Sequence, residues 1–462
     1  MFFIIHVVMK TIDETCCHVY IYVKCLYDNM TINNWWGMLD KIDQRIFFKP
    51  EYYLGNERDG YVLTRSLLDL GLTTVHSRGV YKNTEGKICN SILYHPFETL
   101  PTSFTGMAFK IYHEGMKVGK GDDSRYYPPY IELKCSPAKI LQGHNVFGSD
   151  NIFHGAMEML GWLYMSNPKL TEMLDLDNAV VLCLDVTYSA RLANDDQVNK
   201  ALDFMRNVTS KHIRKSTKVR CFENTVYWGS ERCKRLARKL YGKNVEFHKQ
   251  LKEQIILANK NDKNAMRVVQ VMQDSRLQEW TKGLIRLETG MKAYWLDEQG
   301  LPLKLFDLID YQDKNPNFLQ DLWLKANAEI FKTLEGEFMN VTNDEDVFNL
   351  LANTYQVYTK SGKLSLTRPR NLKRFYDDIR QYGCDALKKR YSKAQYSRYM
   401  ADLIDAGIPK AVLQNLHDQK DNNVIRFVEL LKIDFGKQVP DWYEEPVSTF
   451  DFRPQPKLRL VS

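Results

Sequence analysis

The sequence predicts an α+β fold in which an antiparallel sheet with flanking helices precedes a mostly helical C-terminal region. Three observations carry this expectation. Strand-like and helix-like stretches are mixed without a repeating βαβ rhythm, which argues against a parallel sheet. Several stretches in the first two-thirds of the chain alternate apolar and polar side chains, the pattern of a half-buried strand. From Met339 onward the apolar spacing is mostly helical. At 462 residues the chain has room for two or three domains. The boundaries expected are 1–37, 38–335 and 339–462.

Taken in order, residues 1–37 are apolar and Cys-rich, with Trp35 and Trp36 adjacent and no clear period. Ordinary globular text begins near Met38. Strands are expected over 104–112 and 130–134, separated by a loop that contains Gly119, Gly121, Pro128 and Pro129. Met157, Leu160 and Leu163 give 149–176 a helical spacing. Residues 180–189 read as a strand, with Val181, Cys183, Asp185 and Thr187 on one face and Leu182, Leu184, Val186 and Tyr188 on the other. A helix follows over 195–207. Strands at 225–228 and 236–241 flank Gly229-Ser230, a hairpin-turn dipeptide. A helix is expected over 245–258, then a strand over 284–289 with Leu284, Arg286 and Glu288 on one face. Near the C-terminus Ser392 is a suitable N-cap for a helix ending near Gly407, and Pro409 a suitable first residue of the next.

Composition narrows the function classes. Apolar residues are 44% and charged residues 26%, ordinary for a folded protein. No apolar run approaches the roughly 20 residues that cross a bilayer. The longest, 2–9, contains His6 and has Lys10 after it rather than before it, so it does not read as a signal peptide. Nine cysteines without a CxxC spacing read as reduced thiols in a cytoplasmic protein. The net charge of +7 is unevenly placed: residues 206–249 hold 13 Lys or Arg against three acids, and residues 360–398 hold 12 against three. Positive charge concentrated in this way points to a polyanion, most simply nucleic acid. The competing reading is a solvated, lysine-rich surface.

Absences narrow the chemistry further. There is no GxxxxGK[ST], so no P-loop for nucleotide hydrolysis. There is no GxSxG or HExxH, and no two histidines are spaced to form a His-hydrophobe-His metal pair. What remains is carboxylates inside strands. Glu132, Asp185 and Glu288 each have apolar neighbours, where a carboxylate is costly unless it is paired or bound to a cation. If their strands are adjacent, such acids can hold Mg²⁺ or Mn²⁺ through oxygen; the alternative is pairing with Lys134, Arg286 or another base. Tyr241 ends a strand in the most basic part of the chain, between Lys239 and Lys243. A tyrosine can attack a phosphodiester once its phenol gives up its proton, and nearby lysines favour the phenolate. The phosphotyrosine so formed keeps the energy of the broken bond, so resealing needs no ATP.

Longer motifs add a resemblance. His95-Pro-Phe-Glu-Thr-Leu-Pro101, Gly106-Met-Ala-Phe-Lys-Ile-Tyr112 and the run from Glu132 to Gly148 are similar to the gene II replication initiators of filamentous bacteriophages. The likeness continues through Asp185-Val-Thr-Tyr-Ser-Ala-Arg191, Glu223-Asn-Thr-Val226, Gly300-Leu-Pro-Leu-Lys-Leu-Phe306, Asp402-Leu-Ile-Asp-Ala-Gly-Ile-Pro409 and Asp441-Trp-Tyr-Glu-Glu-Pro446. It spans 38–447 and leaves 1–37 outside, as an over-extended reading frame would.

The resemblance implies a rolling-circle-initiator-like nicking domain and a site-specific, Mg²⁺-dependent endonuclease. Such an enzyme cuts the plus strand of the phage replicative form at its origin and recircularises the displaced strand. It implies double-stranded origin DNA, the displaced single strand, and host helicase and polymerase as partners. It also implies self-association at the origin and a place in the host cytoplasm. The family's Tyr-x-Lys motif matches Tyr241-Gly242-Lys243, followed by the acid Glu246. On that footing Tyr241 is the nucleophile with Lys243 beside it, and Asp185, Glu246 and Glu288 are the metal ligands. His144 is then a general base or phosphate ligand, or else a structural loop histidine. Arg214, Lys215, Lys218, Arg235 and Arg238 are expected on DNA phosphates, setting affinity and salt dependence rather than sequence choice. A DNA-binding regulator of replication would need only the basic stretches. An internal start at Met339, after the purine-rich codons that Glu335-Gly336-Glu337 require, would give a short product that binds DNA through its basic stretch and Tyr376, Tyr382, Tyr391 and Tyr396, but cannot cut it.

Overall fold

A computed structural model describes residues 6–9, 19–22, 37–65, 77–82, 88–94, 97–113, 115–118, 124–210, 224–229, 233–334, 344–417 and 433–454. Its centre is an eight-stranded sheet. In chain order the strands are β1 (Met38–Phe47), β2 (Glu98–Leu100), β3 (Met107–Tyr112), β4 (Tyr130–Cys135), β5 (Val180–Arg191), β6 (Thr225–Trp228), β7 (Leu236–Gly242) and β8 (Leu284–Lys292). They lie side by side as β6-β7-β8-β5-β1-β4-β3-β2, every neighbouring pair antiparallel. The α+β expectation therefore holds.

Side chains alternate across a strand, and residues directly opposed on neighbours share a face, so the registers sort the sheet into two surfaces. One is apolar. Leu39, Ile42 and Ile46 of β1, Leu133 of β4, Leu184 and Val186 of β5, and Leu287 and Met291 of β8 are all buried in a single core. Helices Ile152–Ser166, Asp195–Asn207, Leu305–Lys314 and Phe318–Leu334 contribute Leu160, Leu202, Leu308 and Trp323 to that core. Burying a Leu- or Ile-sized side chain is worth about 1.5–3 kcal/mol, so this face is what holds the sheet together. The opposite face carries Lys41, Asp43, Glu132, Lys134, Asp185, Lys239, Tyr241, Arg286 and Glu288, and it positions the site.

The expected elements are recovered with adjusted ends. Helix Asp195–Asn207 and strand β6 fall where the pattern puts them. The expected helix over 149–176 starts at Ile152 on an Asn151 cap and breaks at Asn167-Pro168, leaving a short second helix Pro168–Glu172. Val181 is on the apolar face, not with Asp185, because the β5–β1 register slips between Val181 and Cys183. Strands β6 and β7 do form a hairpin, but Trp228 opposes Arg238, so the connection is longer than a two-residue turn. Ser392 caps helix Lys393–Asp405 as expected, accepting from the Gln395 N–H, whereas Pro409 is the N-cap of helix Lys410–Asn415 rather than its first residue. Within 1–37, where the sequence shows no clear period, His6–Met9 and Val19–Tyr22 pair antiparallel.

The C-terminal helices Asp344–Tyr355, Thr367–Tyr382, Cys384–Arg390 and Lys393–Asp405 enclose a second core of Val347, Leu351, Leu372, Phe375, Tyr376, Ile379 and Leu403. Tyr376 is therefore core, not a stacking surface, and Tyr391 and Tyr396 pack edge-on against Phe375. Tyr382 stays exposed, with Arg390 stacked 3.8 Å from its ring centre. Met339 lies outside the described residues. Among those described, no helix is long and apolar enough to cross a membrane.

Candidate active site on the polar face of the sheet

Tyr241 lies on β7 directly opposite Arg286 on β8, and both are buried. The chain turns sharply after it. Gly242 closes β7 and serves as N-cap of helix Lys243–Ala258. A Cβ at Gly242 would stand 2.6 Å from Asn224 Oδ1, so any side chain here would have to displace Asn224, whose amide nitrogen donates to the Gly242 carbonyl. The turn places Lys243 in the first position of the helix with its ammonium back over the sheet, hydrogen-bonded to Asn145 Oδ1 at 2.9 Å and paired with Glu246.

The tyrosine hydroxyl donates to Glu288 Oε2 at 3.3 Å, and Lys239 Nζ meets Glu288 Oε1 at 2.8 Å. Glu288 is also hydrogen-bonded to a residue that sequence reasoning missed, Asp40 of β1. Asp40 takes a second bond from Asn145 Nδ2 at 2.8 Å. It sits at a bulge: Lys41 pairs with Asp185 and Leu39 with Val186, which leaves Asp40 as the extra residue facing the acids. The bulge also hides the strand in the sequence, because Leu39, Ile42 and Ile46 then recur at a helix-like spacing.

Burial and the Asp40 carboxylate push Glu288 up to about 8, against the pull of Lys239. Burial alone would raise Asp40 too, but Arg286 and Lys239 outweigh it and hold that carboxyl near 2. The pair thus shares one proton, as two abutting acids must. Burial pushes the Tyr241 phenol well above its usual range, and Glu288, Asp40 and Glu246 add to that, against Arg286. The expectation that lysines favour the phenolate is therefore reversed: the resting tyrosine keeps its proton. Burial, partly offset by Glu246, pulls Lys243 down to about 8.

Other expected residues fall as follows. Asp185 is on the same face, accepting from Cys183 Sγ at 3.0 Å, over Gly290, where a Cβ would come within 2.7 Å of its oxygen. Glu246 is held by Lys243 and Gln250 on the helix. Asp185, Glu246 and Glu288 do not converge: among the described residues no three His, Cys, Asp or Glu side chains form a ligand group. Glu132 pairs with Arg45 at 2.9 Å and Lys134 at 3.2 Å. Burial, with Lys243 and Arg286 nearby, pushes His144 down to about 3, so its ring is neutral, and its Nδ1 accepts the Val146 N–H at 3.2 Å within the loop. Arg235 is exposed and engages Glu298 through both terminal nitrogens. Arg238 points to the apolar face and donates to the Ala326 carbonyl, so it is not free for phosphate; its even position on β7 decides this. Arg214, Lys215 and Lys218 lie outside the described residues.

Loop 143–148 covers this end of the polar face. It leaves helix Pro137–Gln142 through Gly143, whose φ of 84° is left-handed and suits glycine. Arg286 then donates to the Asn145 and Val146 carbonyls and tethers the loop to β8. The side of the face bearing Lys41 and Lys239 is more open, with about a third of each side chain accessible.

Comparisons with known proteins cover both regions of the chain. The family model for the N-terminal part of the phage replication-associated protein matches residues 38–314, which include every strand of the eight-stranded sheet and all the acids above. The model for the C-terminal part of the same protein matches residues 358–449. The chain is 34% identical to the replication-associated protein of Salmonella phage IKe over 432 residues, covering 90% of this chain and 98% of that protein. It is 33% identical to the corresponding protein of Enterobacteria phage M13 over 401 residues, covering 85% and 94%, and the protein of Enterobacteria phage f1 gives the same figures. No solved structure matches. The chain belongs to the replication-associated protein family of filamentous phages, the gene II family.

Proposed function

We propose that this replication protein starts rolling-circle synthesis by nicking one strand of the phage origin with Tyr241 and later rejoins the displaced strand. The observation that carries the reading is the Tyr241 hydroxyl held 3.3 Å from Glu288 in a buried acid pair with Asp40. In this reading Tyr241 Oη attacks the scissile phosphorus, the Glu288–Asp40 pair takes the phenol proton as it passes its own shared proton to the departing 3′ oxygen, and the bond from phosphorus to that oxygen breaks to leave a 3′ hydroxyl. The 5′ phosphate stays on the tyrosine. A 3′ hydroxyl attacking that phosphotyrosine reverses the step and closes a circle without ATP. Arg286, hydrogen-bonded to Tyr241, offsets the charge that develops on the phenolate oxygen. The free 3′ end is the substrate that host polymerase and helicase would extend and unwind.

Two abutting carboxylates with a proton between them are an oxygen donor set suited to a hard divalent cation. Mg²⁺ is commonly held by one or two carboxylates together with substrate phosphate. Asp40 and Glu288 would hold Mg²⁺ or Mn²⁺ in this reading, with the charge of Asp185 also acting on Glu288. The cation would neutralise charge on the scissile phosphate. Incubating the purified chain with supercoiled origin plasmid and Mg²⁺ tests the proposal. Open-circle product bearing a covalent protein–DNA link is expected; a gel shift without strand cleavage would mean a binding protein instead.

A further inference from the structure

The segment 433–453 returns from the helical C-terminal region and crosses the sheet domain as a strap. Phe435 packs on Tyr188 with ring centres 4.9 Å apart. Gln438 then pairs with β5 through both the N–H and carbonyl of Ser189, at 2.8 and 3.0 Å. Trp442 and Tyr443 sit edge-on to Phe147, at 5.3 and 5.4 Å, and Arg276 covers the other side of Trp442 at 4.9 Å. Beyond, Glu445 accepts from Ser149, Ser448 donates to Glu158 at 2.8 Å, and Phe450 fills the space left by Gly161 in helix Ile152–Ser166. Phe147 is the point where the strap meets the site. Two residues before it, Asn145 bridges Asp40 and Lys243 through its side chain and holds Arg286 through its carbonyl. The motif Asp441-Trp-Tyr-Glu-Glu-Pro446, noted in the sequence but given no role by the nicking chemistry, supplies both aromatic rings.

We infer that the strap is a positioning element of the nicking site: Trp442 and Tyr443 clamp Phe147 and so fix Asn145 between the acid pair and Lys243. This rests on the proposed nicking reaction. It makes the far C-terminus part of the active-site scaffold, acting through the loop and not through contact with Tyr241 or the acids. Loss of the clamp should loosen the loop without altering the groups that meet DNA.

The test uses the full chain. Trp442 is 39% exposed, so Trp442→Ala should fold. The expected result is a single-turnover nicking rate about ten- to a hundredfold lower, the scale set by small misplacements of reacting groups. Origin binding should be unchanged, and Trp442→Phe should restore the rate. Amides of residues 145–147 should exchange faster with solvent in Trp442→Ala, a readout independent of activity. Phe450→Ala loosens the strap far from the loop and should leave the rate alone. A Trp442→Ala rate that is unchanged or raised, or an equal loss in Phe450→Ala, overturns the inference. Tyr241→Phe, run alongside, separates the two levels: if it nicks normally the underlying reaction is wrong, and if it alone is inactive only the strap inference is.

Discussion

At the scale of single residues, the site turns on protons shared among buried groups. Tyr241→Phe removes one oxygen and leaves the ring on Lys239 and β8, so origin binding should persist while nicking falls by a factor of at least about 10³, the order seen when a nucleophile is removed. A purified variant that nicks at the parental rate would remove Tyr241 from the mechanism. Glu288 makes a separate prediction about pH. In chelator the folded chain keeps the Glu288 proton up to about 8, while the unfolded chain releases it near 4.5. Between those values only the folded state holds the proton, so the stability contributed by this group falls as pH rises across that window. Asp150, which burial raises to about 7, acts in the same direction, and His144, pushed down to about 3, acts in the opposite one below about 6.5, so the contribution of Glu288 is the difference between parent and variant. Glu288→Gln should flatten the fall in Tm from about pH 5 to 8 and weaken Mg²⁺ binding, as should Asp40→Asn. Identical slopes in parent and Glu288→Gln would dissolve the shared-proton pair. Tyr241 stands out in the sequence through its place between Lys239 and Lys243 and the Tyr-x-Lys motif, and Glu288 as an acid among apolar strand neighbours. Asp40 does not stand out, because its importance comes from a bulge that sequence spacing records only as a broken period.

Elements decide which charges are available. The basic stretch 206–249 suggests a uniform phosphate-binding surface, yet strand alternation divides it: Lys239 and Tyr241 face the site, whereas Arg238 faces the core and satisfies the Ala326 carbonyl of helix Phe318–Leu334. Arg238→Ala should therefore lower stability by about 1–3 kcal/mol, the usual cost of leaving a buried acceptor unmet, with no change in the salt dependence of DNA binding. A phosphate contact would show the opposite: unchanged Tm and a shallower slope of log affinity against log salt. The α+β class and most elements of the sheet could be read from composition and period alone. The functional sorting of neighbouring arginines could not be, since it depends on which strand lies beside which helix.

Across the whole molecule, the C-terminal region contains a core that needs nothing from the sheet, and a strap that does. Val347, Leu372, Phe375, Ile379 and Leu403 close on one another, so a fragment beginning at Met339 should fold over its helices. The same fragment carries 433–453 but none of its seat: Tyr188, Ser189, Phe147, Glu158 and Gly161 all precede it. It also lacks Asp40, Tyr241 and Glu288. Such a fragment should bind DNA with a salt-dependent affinity through the 360–398 stretch and should not nick it at any Mg²⁺ concentration. Its strap should be cut by protease within 433–453 under conditions where the full chain resists, because local opening follows the loss of buried contacts. Binding that ignores salt would remove the electrostatic account. Equal protease resistance of the strap in fragment and full chain would mean that its contacts with the sheet domain contribute little, since only those contacts distinguish the two proteins in that segment.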